Sequence, residues 1–426
     1  MNQSKRIKRI VLQAGKKLSL SIMTSLMLTL PLSQVAFAIS DAEVTTAVQR
    51  GTDYLEANQN DDGSIVGYGG ETEWSVIAFE ATGRDSEMVK SDDGNSIVDF
   101  LESEKPVDAT PATTIERKIL AINASGNDSK YFDGVDYNQE LKNFHNNDQI
   151  GEITLLNDDF FGVLAIETTE DSELLESAQD ALDYFLIHQR SDGGFSYTTN
   201  ECDFYCGTNS NDTAAAIQAM YSAERMGLTN VLLITAKDRA IVYLLSTQKD
   251  DGCFGYDAFS PSDGSSTAWG LMTLNVIGQS VFNQASSART CLLGLQNSDG
   301  GFRFGAYGIN DSDTYTTAHA VIALAGSSWT LYPLVTKKPE LNLEKTQSLE
   351  TPSVSNIVAS LAGSSVHAQG ASRSDTNKDN IDKKQSGSVL KSEDKGWLFA
   401  GGPLALILVA FAWYLLQSRS KKTEKV

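Results

Sequence analysis

Carboxylates that open apolar segments are the residues of this chain with the most chemical potential. Asp158 and Asp159 open one such segment, Asp212 a second, Asp263 a third and Asp313 a fourth. A carboxyl group taken out of water, or set beside another, holds its proton to higher pH and becomes a general acid. Adjacent residues on a helix point about 100° apart, so Asp158 and Asp159 do not read as a pair sharing one proton. Asp212 also has a structural explanation, as an acid in a first helical turn facing the helix dipole. No residue is therefore assigned as catalytic, and Asp158, Asp159 and Asp212 remain the candidates. Aromatic residues recur beside the same starts: Trp74, Phe160, Phe161, Trp269 and Tyr315. With Asp212, Asp263, Asp313 and His319 they could line a pocket for a partly apolar organic ligand; packing alone is the competing explanation. Cys202, Cys206, Cys253 and Cys291 are disulfide candidates. Cys202 and Cys206 could pair within one loop and leave Cys253 with Cys291. A zinc half-site at the first two would lack its second half.

The elements that must position these residues come from an internal repeat. One signature recurs at Gln59–Gly63, Gln189–Phe195, Gln248–Phe254 and Gln296–Phe302, in the form Gln-x-x-Asp-Gly, with Phe two residues later in the last three copies. An amphipathic helical pattern precedes each copy, and a polar or Gly-rich loop and a more apolar helix follow. The second helices read 73–82, 212–226, 266–277 and 314–325. Thr72, Asn211 and Asp313 are the expected N-caps, and Gly83, Gly227, Gly278 and Gly326 the expected stops. Two degraded copies lie between, with helices near 95–104 and 111–125, then 137–145 and 158–167. Six helix pairs over 41–327 predict an all-α fold, an (α/α)6 toroid with the apolar helices inside. An open solenoid of the same pairs is the alternative.

The ends have another texture. Residues 1–17 carry six basic residues and no acid, 18–32 are largely apolar, and Ala36-Phe37-Ala38 offers a cleavage pattern, so 1–38 reads as a signal peptide. The toroid domain is assigned to 39–335, a disordered stalk to 336–396, a transmembrane helix to 397–416 and a cytoplasmic tail to 417–426. The basic tail residues Arg419, Lys421, Lys422 and Lys425 place the repeat domain outside a cell membrane. Between signal and tail lie 24 basic and 54 acidic residues, a balance that speaks against nucleic acid as a partner.

These repeats resemble the prenyltransferase and squalene-cyclase superfamily of α/α toroids over about 41–335, and most of all bacterial surface proteins built from the same repeats. The resemblance implies the fold and tests three activities. Class II terpene cyclases place an acidic motif at the start of an inner helix. The matching stretch here, Asn209-Ser210-Asn211-Asp212-Thr213-Ala214, has Asn211 where the proton donor would stand. Protein prenyltransferases hold zinc with Asp, Cys and His. Asp263 matches, while Ser265 and Thr316 replace the other two, so no metal is expected. Thioester chemistry needs residues that do not follow Cys253. With both motifs degraded, the expectation is a membrane-anchored surface binding or interaction module without a cofactor. It would take an apolar or amphipathic small molecule, or an extracellular protein. A terpene cyclase-like enzyme using a cavity carboxylate is the alternative, and a structural surface protein the second.

Overall fold

The computed structural model describes residues 40–331, apart from 66, 68, 108, 147 and 202–205. Twelve α-helices follow one another within them. The first of each pair are α1 (Asp41–Ala57), α3 (Ile97–Ser103), α5 (Tyr137–Lys142), α7 (Leu175–Ile187), α9 (Leu233–Ser246) and α11 (Phe282–Gly294). The second are α2 (Glu71–Ala81), α4 (Ala112–Ala124), α6 (Leu156–Thr169), α8 (Ser210–Arg225), α10 (Gly264–Ile277) and α12 (Thr314–Leu324). A two-residue antiparallel pair, Phe302–Arg303 with Ser312–Asp313, is the one sheet among the described residues.

Contacts among the even-numbered helices close a ring. α2 touches α4, α4 touches α6, and so on to α12, which touches α2 again. The odd-numbered helices pack outside, α1 against both α12 and α2. This is the closed toroid and not the open solenoid. The composition explains the sorting: α10 and α12 are buried over nearly their whole length, whereas α9 buries only Leu233, Ala236, Ala240 and Leu244.

The repeated glutamine is the clasp of this ring. Each side-chain amide donates to the carbonyl of the glycine four residues on: Gln59 to Gly63 at 2.9 Å, Gln189 to Gly193 at 2.7 Å, Gln248 to Gly252 at 2.9 Å and Gln296 to Gly300 at 2.8 Å. It also reaches the next outer helix, at Ala236 O from Gln189 and Gln284 O from Gln248. Gln296 makes the same bond to Ala47 O at 2.8 Å, joining the last repeat to the first. Gly252 shows why the motif needs glycine: its φ is +84°, and a Cβ there would stand 2.7 Å from Ser287 O. The motif aspartates accept backbone N–H groups inside the same turn, as Asp192 does from Gly194 at 3.1 Å.

A second repeated device fixes each inner helix. The Thr213, Thr267 and Thr317 hydroxyls accept the N–H of Phe195, Phe254 and Phe302 at 2.8–2.9 Å. Each donates in turn to the carbonyl of its own N-cap residue. The N-caps themselves correct the sequence reading by two residues. Asn209, not Asn211, caps α8, and Gly70, not Thr72, precedes α2. Thr72 instead accepts the Ile65 N–H at 3.0 Å, the bond the other threonines make to the motif phenylalanines. Asp313 caps α12 as expected.

Among the described residues no helix is long and apolar enough to cross a membrane. The signal peptide, the stalk and the segment Trp397–Leu416 lie outside them. Cys253 and Cys291 are bonded to each other; Cys206 is disulfide-bonded too, and Cys202 lies outside the described residues.

Candidate functional site

The inner helices present aromatic rings to the toroid axis at one register. Phe161, Trp269 and His319 stand six residues past their caps on α6, α10 and α12, and Trp74 joins them from α2. Ring centroids lie 5.1 Å apart for Trp74 and His319, 5.6 Å for Trp269 and His319, and 6.1 Å for Phe161 and Trp269. Trp329, just beyond α12, packs into this group, 4.6 Å from Trp269 and 5.2 Å from Phe161. At this level the axis is filled with rings. Tyr315, one turn nearer the helix starts, sits on His319 at 4.4 Å. His319 is fully buried, its Nδ1 bonds the Tyr315 carbonyl, and burial lowers its pKa to about 4.

Of the residues expected to line a pocket, Trp74, Trp269, Tyr315 and His319 come together. Phe160 does not join them. It stacks edge-on with Phe185 and Phe195, between α6 and the outer layer, and Phe161 is the ring on the axis. Asp263 and Asp313 are N-caps, accepting the N–H of Ser266 and of Thr316 at 2.6 Å. Burial nevertheless raises their carboxyls to about 7 and about 6. Asp212 accepts from the Asn209 amide, and burial raises it to about 6. Polar side chains stand two residues past the caps: Asn157, Asn211, Ser265 and Tyr315. Among them the Asn157 Oδ1 and the Ser265 hydroxyl are buried without a partner.

The seam between α4 and α6 brings together three buried carboxyls, those of Glu116, Asp158 and Asp159. Glu116 is fully buried, and neither of its carboxyl oxygens has a hydrogen-bond partner. Burial drives its pKa well above the usual carboxylate range, and Asp158 and Asp159 push it further. Asp158 accepts the Glu152 N–H with Oδ2 at 3.0 Å, and burial brings it to about 7. Asp159 stands where other repeats carry threonine. Its Oδ1 accepts the Ile150 N–H at 2.9 Å, while Oδ2 is left without a partner. Burial raises its pKa too. Burial thus raises the pKa of three carboxyl groups in one seam. Asp158 and Asp159 were singled out from sequence. Glu116 was missed because Glu116-Arg117-Lys118 looks like a solvated charge run. The available signal was its place inside a helix that the repeat buries, where Lys118 is buried too and donates to the Glu104 carbonyl.

A separate depression of about 520 Å³ lies by the clasp of α7, lined by His188, Gln189, Arg190, Asp192 and Thr208 among others. It contains none of these carboxyls.

No protein-family model and no curated protein matches the chain. Solved structures do match in fold. The unsaturated glucuronyl hydrolase of Bacillus sp. GL1 aligns over 69% of this chain and 100% of its own, with a TM-score of 0.51 and 16% identity. A type II terpene cyclase from Scytonema aligns over 67% of this chain and 97% of its own, with a TM-score of 0.45 and 14% identity. The ent-copalyl diphosphate synthase of Streptomyces platensis covers 60% of this chain and 50% of its own, with a TM-score of 0.43 and 17% identity. These findings correct the reading of the chain as a binding module. That reading rested on degraded motifs, yet proteins matched in fold are enzymes, and the seam supplies buried acids outside those motifs. The chain has an α/α-toroid fold, the fold in which it matches the unsaturated glucuronyl hydrolase.

Proposed function

We propose that the chain is an enzyme that works by general acid catalysis from the α4–α6 seam. The observation that carries this reading is the Glu116 carboxyl, fully buried, without a hydrogen-bond partner and coupled to Asp158 and Asp159. A protein does not leave such groups unmatched cheaply; burying an unpartnered polar group costs about 1–3 kcal/mol. Strained sites of this kind concentrate where chemistry is done. Asp158 is the proton donor. Its Oδ2 is engaged by the Glu152 N–H, which leaves Oδ1 to carry the proton. A pKa of about 7 suits an acid that must both hold and release its proton near neutral pH. Burial raises the pKa of Glu116, and this carboxyl returns a proton to Asp158 after turnover.

The substrate is a small organic molecule with a double bond or a leaving-group oxygen to protonate. It enters where the inner helices start, because the rings around Trp329 fill the axis at the next level. Two probes bracket the chemistry of the matched folds: an unsaturated glucuronide and a polyprenyl diphosphate. Turnover of either by the purified chain, followed by mass spectrometry, is expected to fall at least 100-fold in Asp158→Asn. Turnover that survives in Asp158→Asn would sink the assignment.

We further propose that this enzyme works outside the cell, cleaved after Ala38 and anchored by Trp397–Leu416. Protease added to intact cells should release a fragment beginning at Ile39; a fully protected toroid would rule the topology out.

A further inference from the structure

Arg117 is the cation of the axis. It stands six residues past Pro111, the cap position of α4, and so at the register of Phe161, Trp269 and His319 on their helices. Its surroundings confirm the placement. A Cβ on Gly70, at the start of α2, would come within 2.4 Å of the Arg117 Nε and 3.1 Å of its Cζ. The guanidinium also acts on the Tyr315 hydroxyl from across the axis, opposing the effect of Glu71.

This guanidinium is under-used. An arginine carries five N–H donors in a planar fork. Here Nε is buried with no partner, and the one hydrogen bond it makes runs from Nη2 to the Thr114 hydroxyl at a long 3.4 Å. Among the described residues no ion pair reaches it, although other arginines are matched: Arg84 with Glu56, Arg225 with Glu167, Arg190 with Glu201. The contrast with Arg239 and Arg50 is sharper still. Both sit in the clasps with their forks spread over glutamine and backbone oxygens. Arg289 on the outer helix α11 also has a buried Nε without a partner, whereas Arg117 stands on an inner helix, α4. Two groups near the starts of inner helices also lack partners, the Asn157 Oδ1 on α6 and the Ser265 hydroxyl on α10. Gly70 lets the start of α2 pack directly against the guanidinium, and Ala215 occupies the same register position on α8 with a single methyl group.

We infer that Arg117 is the anchor of an oxyanion subsite, which takes a carboxylate or phosphate group of the substrate into the axial cup above Trp74 and Trp269. The fork geometry of guanidinium matches two oxygens of such a group, and charge-assisted bonds of this kind are about twice as strong as neutral ones. Arg117 and Glu116 are successive residues of α4, so the subsite holds the substrate beside the seam that donates the proton. The inference rests on the enzyme reading for its purpose, but not for its test, because anion binding is measured without turnover.

The test uses the full chain, with the fluorescence of its axial tryptophans as the readout, at constant ionic strength set with chloride. Acetate and inorganic phosphate are titrated separately, as the two candidate chemistries. A saturable change with one of them is expected in the wild type. The apparent affinity should fall at least tenfold in Arg117→Gln and recover in part in Arg117→Lys, which restores charge without the fork. Asp158→Asn should bind the anion as the wild type does even where it has lost turnover, which separates failure of the subsite from failure of the acid. Should Arg117→Gln not fold, the Nε–Hε resonance of Arg117 in the wild type provides the second measurement, and it must move on titration. Absence of saturable binding in the wild type, equal binding in Arg117→Gln, or an unmoved Arg117 resonance each overturns the subsite.

Discussion

Glu116, Asp158, Asp212, Asp263 and Asp313 hold their protons to higher pH in the folded chain than carboxyls do in water. Asp158 and Asp263 are raised to about 7, Asp212 and Asp313 to about 6. Between pH 4 and pH 7 the folded chain therefore binds more protons than the unfolded one, and stability falls as pH rises through that window. The urea midpoint should accordingly be higher at pH 5 than at pH 8; an equal or reversed order would show that these groups ionise freely in the folded chain. Glu116→Gln keeps the shape and removes the ionisable group, so it should raise the midpoint at pH 8 and change it little at pH 5. The same residues show where sequence is a poor guide. Asp158 announced itself by standing at a helix start. Glu116 did not, since its meaning depends on which face of α4 is buried and on what α6 brings opposite it. Arg117 was hidden for the same reason, by a neighbour in space and not in sequence.

The clasp is the unit that ties helix to helix. Gln296→Ala removes three hydrogen bonds, the two its amide donates to Gly300 O and Ala47 O and the one its Oε1 accepts from Arg50, and leaves both carbonyls in need of water. A loss of about 1–3 kcal/mol is expected. Gln59→Ala should cost less, because the second bond of Gln59, to Val89 O, is 3.4 Å long. Thermal melts of the two variants give the order directly; a larger loss for Gln59→Ala would show that the bonds are not what the motif supplies. The disulfide joins the third clasp loop to α11 across 38 residues of chain. Its replacement by Cys253→Ser with Cys291→Ser should lower stability by about 2–4 kcal/mol. The helix pairs were legible because apolar periodicity and the Gln-x-x-Asp-Gly turn mark each repeat. The cap positions were not, because Asn209 and Asn211 are equally good caps on paper. The choice falls to Asn209, whose carbonyl must meet Thr213 and whose N–H must meet Phe195.

For the molecule as a whole, closure of the inner ring leaves an axis that something must fill, and Trp329 does so from outside the twelve helices. Trp329→Ala should cost about 3–5 kcal/mol, as large-to-small changes in a packed interior do. Added indole should recover part of that loss by occupying the space, as seen in the melting temperature. Recovery by indole in the wild type as well would point to a different site. Nothing in the periodicity foretold this filling. Trp329 follows the stop at Gly326, where a sequence reading sees only the exit from the last helix.

The bond from Gln296 to Ala47 also bears on how the chain is made. In an open solenoid each new repeat can settle on the one before it as the ribosome delivers it. Here α1 packs against α12, so the first helix of the ring must wait for the ring's last. The seam between them is the contact of greatest sequence separation in the fold, and such contacts form slowly. A nascent chain stalled after α10 would show an unsealed flank on α1, including the apolar Val44 and Val48 that pack against the finished core. It would be bound by chaperones until α11 and α12 emerged. Nascent chains arrested at successive helices should therefore gain protease resistance in a single late step.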